Sequence, residues 1–492
     1  MPYASWLLAF KLAIPARHRE RSGEADGRNP QSEIIGPMLR APCSILLAVR
    51  YALRTMRSAQ KLIPVLTLVA VVSMLSPEIG QAQTRATFTP RISIQEQYDD
   101  NIFLDPDSEE SDWITTVSPG FLLELQSEKT ALDLDYEAGF AFYAKDSARD
   151  TNRHRARLLW DQNLSPYLSL RVADTFSRSE DPITLSEEGR VVDIANRREV
   201  RYRNNGEARL AWQFGAEDLL SFGYRNRLLD SDSNDTQDSR ANEGFVDLAT
   251  WFVPQFGVEL TSNFSRWEFQ QPSGFTGTPT DDFYQYQGGL TVNYRWRRQR
   301  IVYGRYNFAY LDFDDEFGFD DNYIIHQPTL GVILGLGPNT EFGAEMGYFR
   351  QDIKNGKGED GFVLNANFNT RGQRAYLRIL SNAGYNLDYG SSDNQGFAKF
   401  SDNSARISYQ LTEDFNVFAS ARYRWEDFTE IDRTEHTYGG RAGLAFDFWR
   451  WLTLSLEGDH LRRDSNNAAR EFKDNRVALR FTTAYPIPLF GE

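Results

Sequence analysis

Residues 131 to 143, ALDLDYEAGFAFY, alternate between two kinds of side chain with a period of two. Leucine, alanine and aromatic residues occupy the even positions, and Asp133, Asp135 and Glu137 stand between them. A helix would place these carboxylates inside its apolar stripe, whereas a β-strand sends successive side chains to opposite faces. The segment is therefore predicted to be a strand with one apolar face and one charged face.

The same period recurs after Gln83 in segments of about 10 to 15 residues, for example at 199 to 214 and 414 to 427. Short connections between these segments alternate along the chain with longer acidic stretches rich in Gly, Ser and Asn, the longest at 181 to 198. Short turns at one end and long loops at the other are typical of bacterial outer-membrane barrels.

Counting the alternating segments predicts twenty strands, or eighteen if the weak ones are merged. The chain is thus predicted to be all-β: a transmembrane, antiparallel, up-and-down β-barrel of about 20 strands in the outer membrane of a Gram-negative bacterium. A mean hydropathy of −0.53 together with 14% aromatic residues fits this class, because one face of each strand meets lipid and the other meets water. Tryptophans near the segment ends, such as Trp113 and Trp267 beside long loops, predict lipid-facing girdles.

The N-terminal region is predicted to be processed. Residues 62 to 76, LIPVLTLVAVVSMLS, form the only long apolar run, with basic residues before it and small residues after it. This layout is typical of a secretory signal peptide, and the run is too short for a spanning helix of about 20 residues. We predict a cleaved signal peptide over 56–82 and a barrel over 83–492, with a retained N-terminal anchor as the alternative. Residues 1–55, rich in arginine and without a period, are interpreted as a disordered upstream extension from a misassigned start codon.

The predicted barrel is acidic, with 44 basic and 64 acidic side chains in residues 83–492, a formal charge of −20. Such a chain is not expected to bind nucleic acid. The single cysteine, Cys43, precedes the barrel, which therefore has no disulfide framework and no cysteine-based metal site or nucleophile.

Arginine accounts for 38 of those 44 basic residues. Fifteen arginines share the parity opposite the apolar face and are predicted to point into the lumen: Arg157, Arg171, Arg201, Arg203, Arg209, Arg225, Arg227, Arg295, Arg305, Arg378, Arg406, Arg422, Arg424, Arg441 and Arg480. In one interpretation they pair with carboxylates on neighbouring strands and rigidify the wall. In the other they attract carboxylate-bearing or sulfated sugars while acidic loops screen the mouth. Both can hold at once.

Motifs of catalysis are absent from the sequence. The five histidines are scattered, with no HExxH, and no G-x-S-x-G elbow occurs. We predict no catalytic, cofactor or metal site. Acidic stretches such as 312 to 321 are interpreted as solvated loops, with weak divalent bridging to lipopolysaccharide as the alternative.

The segment from Tyr98 to Phe103, YDDNIF, followed by WITTVSPG at 113 to 120, resembles the opening of the putative beta-barrel porin family that accompanies exopolysaccharide and exosortase (PEP-CTERM) loci. This resemblance implies an outer-membrane barrel of uncharacterised or polysaccharide-export function, with no established catalytic residues. Any periplasmic scaffold that takes part in such export would be a separate protein.

A barrel of 18 to 20 strands is wide enough for an aqueous channel. The predicted function is a porin that exports polysaccharide or passes polar anionic solutes. The alternatives are a plugged barrel that serves as a surface adhesin or envelope-structural element, favoured if the 181–198 loop fills the lumen, and, third, an outer-membrane hydrolase. The expected partners are outer-membrane lipid and lipopolysaccharide, the barrel-insertion machinery, polysaccharide and periplasmic export proteins.

Overall fold

The computed structural model describes residues 84–185, 191–195, 198–232, 236–271, 280–314, 322–354, 356–389, 396–429 and 431–490. The predicted signal peptide and upstream extension lie outside these residues. Within the described ranges, no helix has the length and apolar character needed to cross a bilayer.

Strands dominate the described residues. In chain order they are β1 (Arg85–Asp99), β2 (Asp112–Gln126), β3 (Thr130–Tyr143), β4 (Thr151–Ser165), β5 (Leu168–Ser179), β6 (Ile183–Leu185), β7 (Val191–Ile194), β8 (Arg201–Gln213), β9 (Leu219–Ser231), β10 (Asp238–Val253), β11 (Phe256–Gln270), β12 (Phe283–Arg297), β13 (Arg300–Phe313), β14 (Tyr323–Gly337), β15 (Thr340–Ile353), β16 (Asp360–Arg371), β17 (Ala375–Asp388), β18 (Gly396–Gln410), β19 (Phe415–Phe428), β20 (Arg433–Trp449), β21 (Leu452–Ser465), β22 (Phe472–Ala484) and β23 (Ile487–Phe490). Two 3-10 turns, Ser147–Arg149 and Ala468–Arg470, lie in loops.

Twenty of these strands, β1 to β5 and β8 to β22, form one antiparallel wall in which each strand pairs with its neighbour along the chain. The wall closes because Arg91 to Asp99 of β1 pair with Ala484 to Arg476 of β22. After a break at Pro486, β23 continues the last strand along the start of β1. The predicted 20-strand, up-and-down β-barrel is confirmed.

Connection length differs between the two ends of the barrel. At one end the strands are joined by two to five residues, and at the other by four to twenty-one. In bacterial barrels the short turns face the periplasm and the longer loops face outside. We therefore call the long-loop end the extracellular mouth.

The outer face is apolar, as the alternating sequence predicts. Phe362 of β16 is 82% exposed, whereas its neighbour Val363 is 4% exposed. In water such a surface would be costly, but in a bilayer it is solvated by lipid.

The inner face departs from the prediction near the extracellular mouth, where it is apolar as well. There the inward side chains of β12 to β16 form a buried cluster with two residues from the tip of the β17–β18 hairpin. The cluster comprises Phe283, Ala309, Leu311, Phe313, Tyr323, Ile325, Phe349, Val363, Tyr389 and Phe397. Trp267, predicted for the lipid-facing girdle, packs against this cluster and stacks on Phe283 at 5.8 Å. Its parity places it inside the barrel.

The cluster exists because the tip of the β17–β18 hairpin leaves the wall. Pairing between β16 and β17 stops at Leu364 and Ala383, while β17 and β18 stay paired up to Asp388 and Gly396. Gly384, at the departure point, has a φ of +155°, which side chains with a Cβ rarely adopt. Residues 384–389 and 396–397 thus fold over the mouth, and we call them the aromatic lid.

Candidate functional site

A second segment folds over the mouth from another part of the wall. Between β5 and β8, the small hairpin of β6 and β7 packs Ile183 and Ile194 against Leu461 and Phe472, which project inward from β21 and β22. Leu104, from the loop after β1, completes this apolar contact. We call residues 180–185, 191–195 and 198–200 the charged lid, because ion pairs hold its base.

Two adjacent carboxylates fasten the charged lid to arginines of the wall. Arg153 of β4 donates to Glu180 at 2.5 Å, and Arg476 of β22 lies 3.1 Å from Asp181. Arg198, within the lid, donates to Glu180 at 3.3 Å and to the carbonyl oxygen of Ile102 at 2.8 Å. The side chains of Arg198 and Glu180 are only 5% and 7% exposed, so water screens these pairs weakly.

The same arginines keep both lid carboxylates ionised. Burial disfavours the charged form of Asp181, yet the nearby arginines, Arg476 first among them, hold its pKa well below the usual range. Burial likewise opposes ionisation of Glu180, but its ion pairs with Arg153 and Arg198 prevail and lower its pKa. The lid is therefore fastened at neutral pH.

Three further carboxylates meet behind Arg476. Asp99, Asp100 and Asp474 each place an oxygen within 4.8 Å of the others, a spacing that suits a hard cation such as Ca²⁺. Nε of Arg476, however, lies 3.2 Å from Asp99 and 2.7 Å from Asp474. Because a guanidinium already offsets this charge, we assign the group to the fastening of the charged lid.

Ten of the fifteen predicted arginines have a carboxylate partner among the described contacts. They are Arg171 with Asp161, Arg203 with Asp193, Arg209 with Asp247, Arg225 with Glu207 and Glu243, Arg227 with Glu243, Arg295 with Glu217, Arg305 with Glu345, Arg422 with Asp402, Arg424 with Glu426, and Arg441 with Glu457. Most of these pairs join neighbouring wall strands, which agrees with the interpretation that they rigidify the barrel.

The described contacts of the other five are as follows. Arg201 is buried and donates to the backbone oxygen of Asp181 at the base of the charged lid. Arg480 donates to Gln95 across the closing seam at 2.8 Å. Arg157 is exposed, and Arg406 lies over the ring of Phe418 at 5.2 Å. Arg378, the fifth, lines the cavity described next.

A cavity of about 420 Å³ adjoins the base of the charged lid, bounded by β1 to β5 and β17 to β22. Five of the predicted arginines line it together: Arg378, Arg406, Arg422, Arg441 and Arg480. With Arg153, Arg155 and Arg476 they make eight inward arginines against five carboxylates, which are Glu137, Asp181, Glu457, Asp459 and Asp474. The lining thus carries excess positive charge in a chain whose net charge is −15.

Arg201 and Arg203, two of the fifteen, contact Asp181 and Asp193 of the charged lid. Arg153, Arg198 and Arg476, which hold its two basal carboxylates, are not among the fifteen. Arg153 and Arg476 share the inward parity of their strands, so a complete application of the period-two rule would have included them. Arg198 lies in an irregular segment, where no period identifies its partners.

The YDDNIF segment joins the first and last wall strands. Asp100 accepts hydrogen bonds from the backbone nitrogen and the side-chain amide of Asn475, each at 2.6 Å. Asn101 donates to the carbonyl oxygen of Lys473 at 3.0 Å, and Ile102 is fully buried against the inward-facing Ile114. This segment therefore closes the barrel at its extracellular mouth and supports the charged lid.

Several solved outer-membrane proteins are similar in overall shape. OccK2 (OpdF) of Pseudomonas aeruginosa, solved with glucuronate, has a TM-score of 0.41 and 13% identity, covering 83% of this chain and 98% of its own. A BenF-like porin from Pseudomonas fluorescens Pf-5 has a TM-score of 0.39 and 12% identity, with coverage of 82% and 99%. The ferric enterobactin receptor PfeA of P. aeruginosa has a TM-score of 0.47 and 10% identity, with coverage of 81% and 80%.

No curated protein matches the sequence. A family model does: the one described as "Putative beta-barrel porin 2" matches residues 80–485. The family and the closed barrel imply a bacterial outer-membrane location and point to a channel rather than an enzyme. The chain belongs to the Putative beta-barrel porin 2 family, as its YDDNIF opening and its alternating strands predict.

Proposed function

We propose that this barrel is a channel for polar anionic solutes, with acidic oligosaccharides as the class that best fits its lumen. The observation that carries the proposal is the cavity beside the charged lid, where eight inward arginines meet five carboxylates. Planar guanidinium groups bind carboxylate and sulfate through paired hydrogen bonds. In a narrow lumen, an excess of one charge also raises the local concentration of the opposite ion.

The paired arginines support the same function indirectly. A guanidinium held by a carboxylate on the next strand, such as Arg422 beside Asp402 at 2.7 Å, loses little further freedom when a solute binds. Arg422 also lines the cavity beside the charged lid. Wall pairing and solute binding are therefore complementary roles.

Reversal potential in planar bilayers across a KCl gradient tests the proposal. The refolded chain 83–492 is expected to favour anions, and an acidic oligosaccharide is expected to block its current. Arg378→Glu with Arg406→Glu should shift selectivity toward cations, because each reversal changes the lumen charge by two. Arg462→Gln, on the outer face, is the matched control and should leave selectivity unchanged. A wild-type channel that prefers cations would contradict the proposal.

Two lids folded over the extracellular mouth favour a second candidate, the plugged barrel. It predicts a folded chain that is silent in the bilayer even when either lid is released. If the silent barrel begins to conduct when a lid is released, it is instead a gated channel. Export of polysaccharide with periplasmic proteins stays a prediction. It would be tested by adding long acidic polysaccharide from the short-turn side of the barrel and measuring whether it blocks the current.

A further inference from the structure

The outer wall carries a repeated side-chain contact that has no part in lining the lumen. At three places on the lipid-facing surface, a tyrosine hydroxyl lies within hydrogen-bond distance of Nδ1 of a histidine on the next strand. The pairs are Tyr136 with His154 at 2.9 Å, Tyr306 with His326 at 2.6 Å, and Tyr423 with His436 at 2.9 Å. In all three the rings stack, with centroids 6.1 to 6.2 Å apart.

All three pairs lie at one height. Each histidine is three residues after the first residue of its strand, at the long-loop end of the barrel. Exposed apolar side chains, such as Phe140 and Phe308, lie on the same face nearby. The pairs are thus placed where the hydrocarbon of the outer leaflet meets its headgroups.

Two of the three pairs have an arginine directly opposite the histidine on the following strand. His154 stands opposite Arg178, and His326 stands opposite Arg350. Arg178 donates from Nε to the hydroxyl of Tyr202 at 3.3 Å and from Nη1 to the backbone and side-chain oxygens of Asn152, which leaves Nη2. Arg350 donates from Nε to Asp352 at 2.8 Å. Both guanidinium groups keep N–H donors for a further acceptor. At the third pair, His436 faces Asp464 instead, and the nearby Arg462 is already paired with that carboxylate at 2.7 Å.

The hydrogen bond with the tyrosine determines which ring nitrogen of the histidine carries the proton. When the phenol O–H donates to Nδ1, the ring proton resides on Nε2, which then becomes a donor on the ring edge away from the tyrosine. An imidazole N–H beside an arginine fork matches the oxygens of a phosphate group. At this height of an outer-membrane barrel, phosphate belongs to the glycolipid of the outer leaflet.

We propose that the two outer triads, Tyr136–His154–Arg178 and Tyr306–His326–Arg350, each bind a phosphate group of lipopolysaccharide. This proposal uses only the outer surface and is independent of what passes through the lumen. It names the surface on which the predicted lipopolysaccharide partner docks.

Native mass spectrometry of the purified full barrel in detergent tests it, with diphosphorylated lipid A as the probe. Binding of up to two lipids is expected, with at least about tenfold weaker binding of the same lipid after removal of its phosphates. Equal binding of the two lipids would overturn the proposal without any variant.

Substitutions then locate the sites. Arg178→Gln with Arg350→Gln should weaken lipid A binding by at least about tenfold, and Arg→Lys at both positions should restore part of it. His436→Gln, at the pair that faces Asp464, is the matched control and should leave binding unchanged. Heat-dependent migration in SDS gels shows that each variant is folded. Unchanged binding by the folded glutamine variant would overturn the assignment, as would an equal loss in His436→Gln.

Discussion

The two lids cover the same mouth by different means. The charged lid is fastened at its base by ion pairs, in which Glu180 and Asp181 meet arginines from opposite sides of the closing seam. The aromatic lid is fastened by ring packing, with Phe397 fully buried against Phe349 and Tyr385. Ion pairs respond to pH and to competing anions, whereas ring packing does not. The comparison indicates that only the charged lid is suited to respond to an anionic solute.

The largest effect is expected from Arg476→Ala. Three carboxylates, Asp99, Asp181 and Asp474, lose the same counterion, and breaking a buried ion pair costs about 3–5 kcal/mol. The charged lid should therefore open. In a chain of residues 83–492, which lacks Cys43, a single cysteine at Ile194, which is 7% exposed, would report opening by its rate of maleimide labelling.

Two controls accompany that variant. Arg476→Lys keeps the charge and should leave the lid largely closed, and Arg462→Ala, which breaks an exposed pair on the outer face, should cost about 0.5 kcal/mol. If the cysteine at position 194 is labelled no faster in the Arg476→Ala variant than in the chain that keeps Arg476, the ion pairs do not hold the lid.

A slightly smaller effect is expected from Phe397→Ala in the aromatic lid, about 3 kcal/mol from the lost ring and the cavity it leaves. Labelling of a cysteine at Tyr389, which is 3% exposed, should speed up. The increase should be the same at low and high salt, since ring packing is uncharged. A salt-dependent increase would show that the two lids do not differ in the way proposed.

The smallest effect is expected from mild acid. Both lid carboxylates have lowered pKa values, so their stabilising contribution is present above the ordinary values of 4.5 for Glu180 and 3.8 for Asp181 and is lost only as pH falls below them. Channel current should therefore stay constant from pH 8 to about 5 and rise progressively only in stronger acid. Opening between pH 7 and 5 would contradict this assignment.

Period-two alternation was enough to predict the wall. The carboxylates of 131 to 143 and the arginines of the later strands fall on one parity, and pairs such as Arg422 with Asp402 require only that parity and strand order. The lids could not be predicted in this way. Tyr323 and Ile325 lie on the parity expected to be wet, and they are buried because the β17–β18 tip turns inward at Gly384.

The charged lid was identified from the sequence as the longest loop, but its contacts were not. Arg198 contacts Glu180 in the same loop and Ile102 in the loop after β1. It lies in an irregular segment, where the direction of a side chain follows from tertiary packing rather than from a sequence period. The outer triads were missed for another reason. Their residues lie on three strands, and only the pairing register shows that His326 faces Arg350.

The seam between β1 and β22 bears on the order of assembly. Asp100 and Asn475, which hold it, are 375 positions apart, whereas every other wall strand pairs with the next one along the chain. Hairpins can form as soon as their two strands exist, but the ring has two open edges until its last segment arrives. The same adjacency of first and last strands permits a circular permutant. Joining β23 to β1 through a linker and cutting the chain at the 411–414 turn would preserve every strand neighbour while moving the last step of closure to a different hairpin.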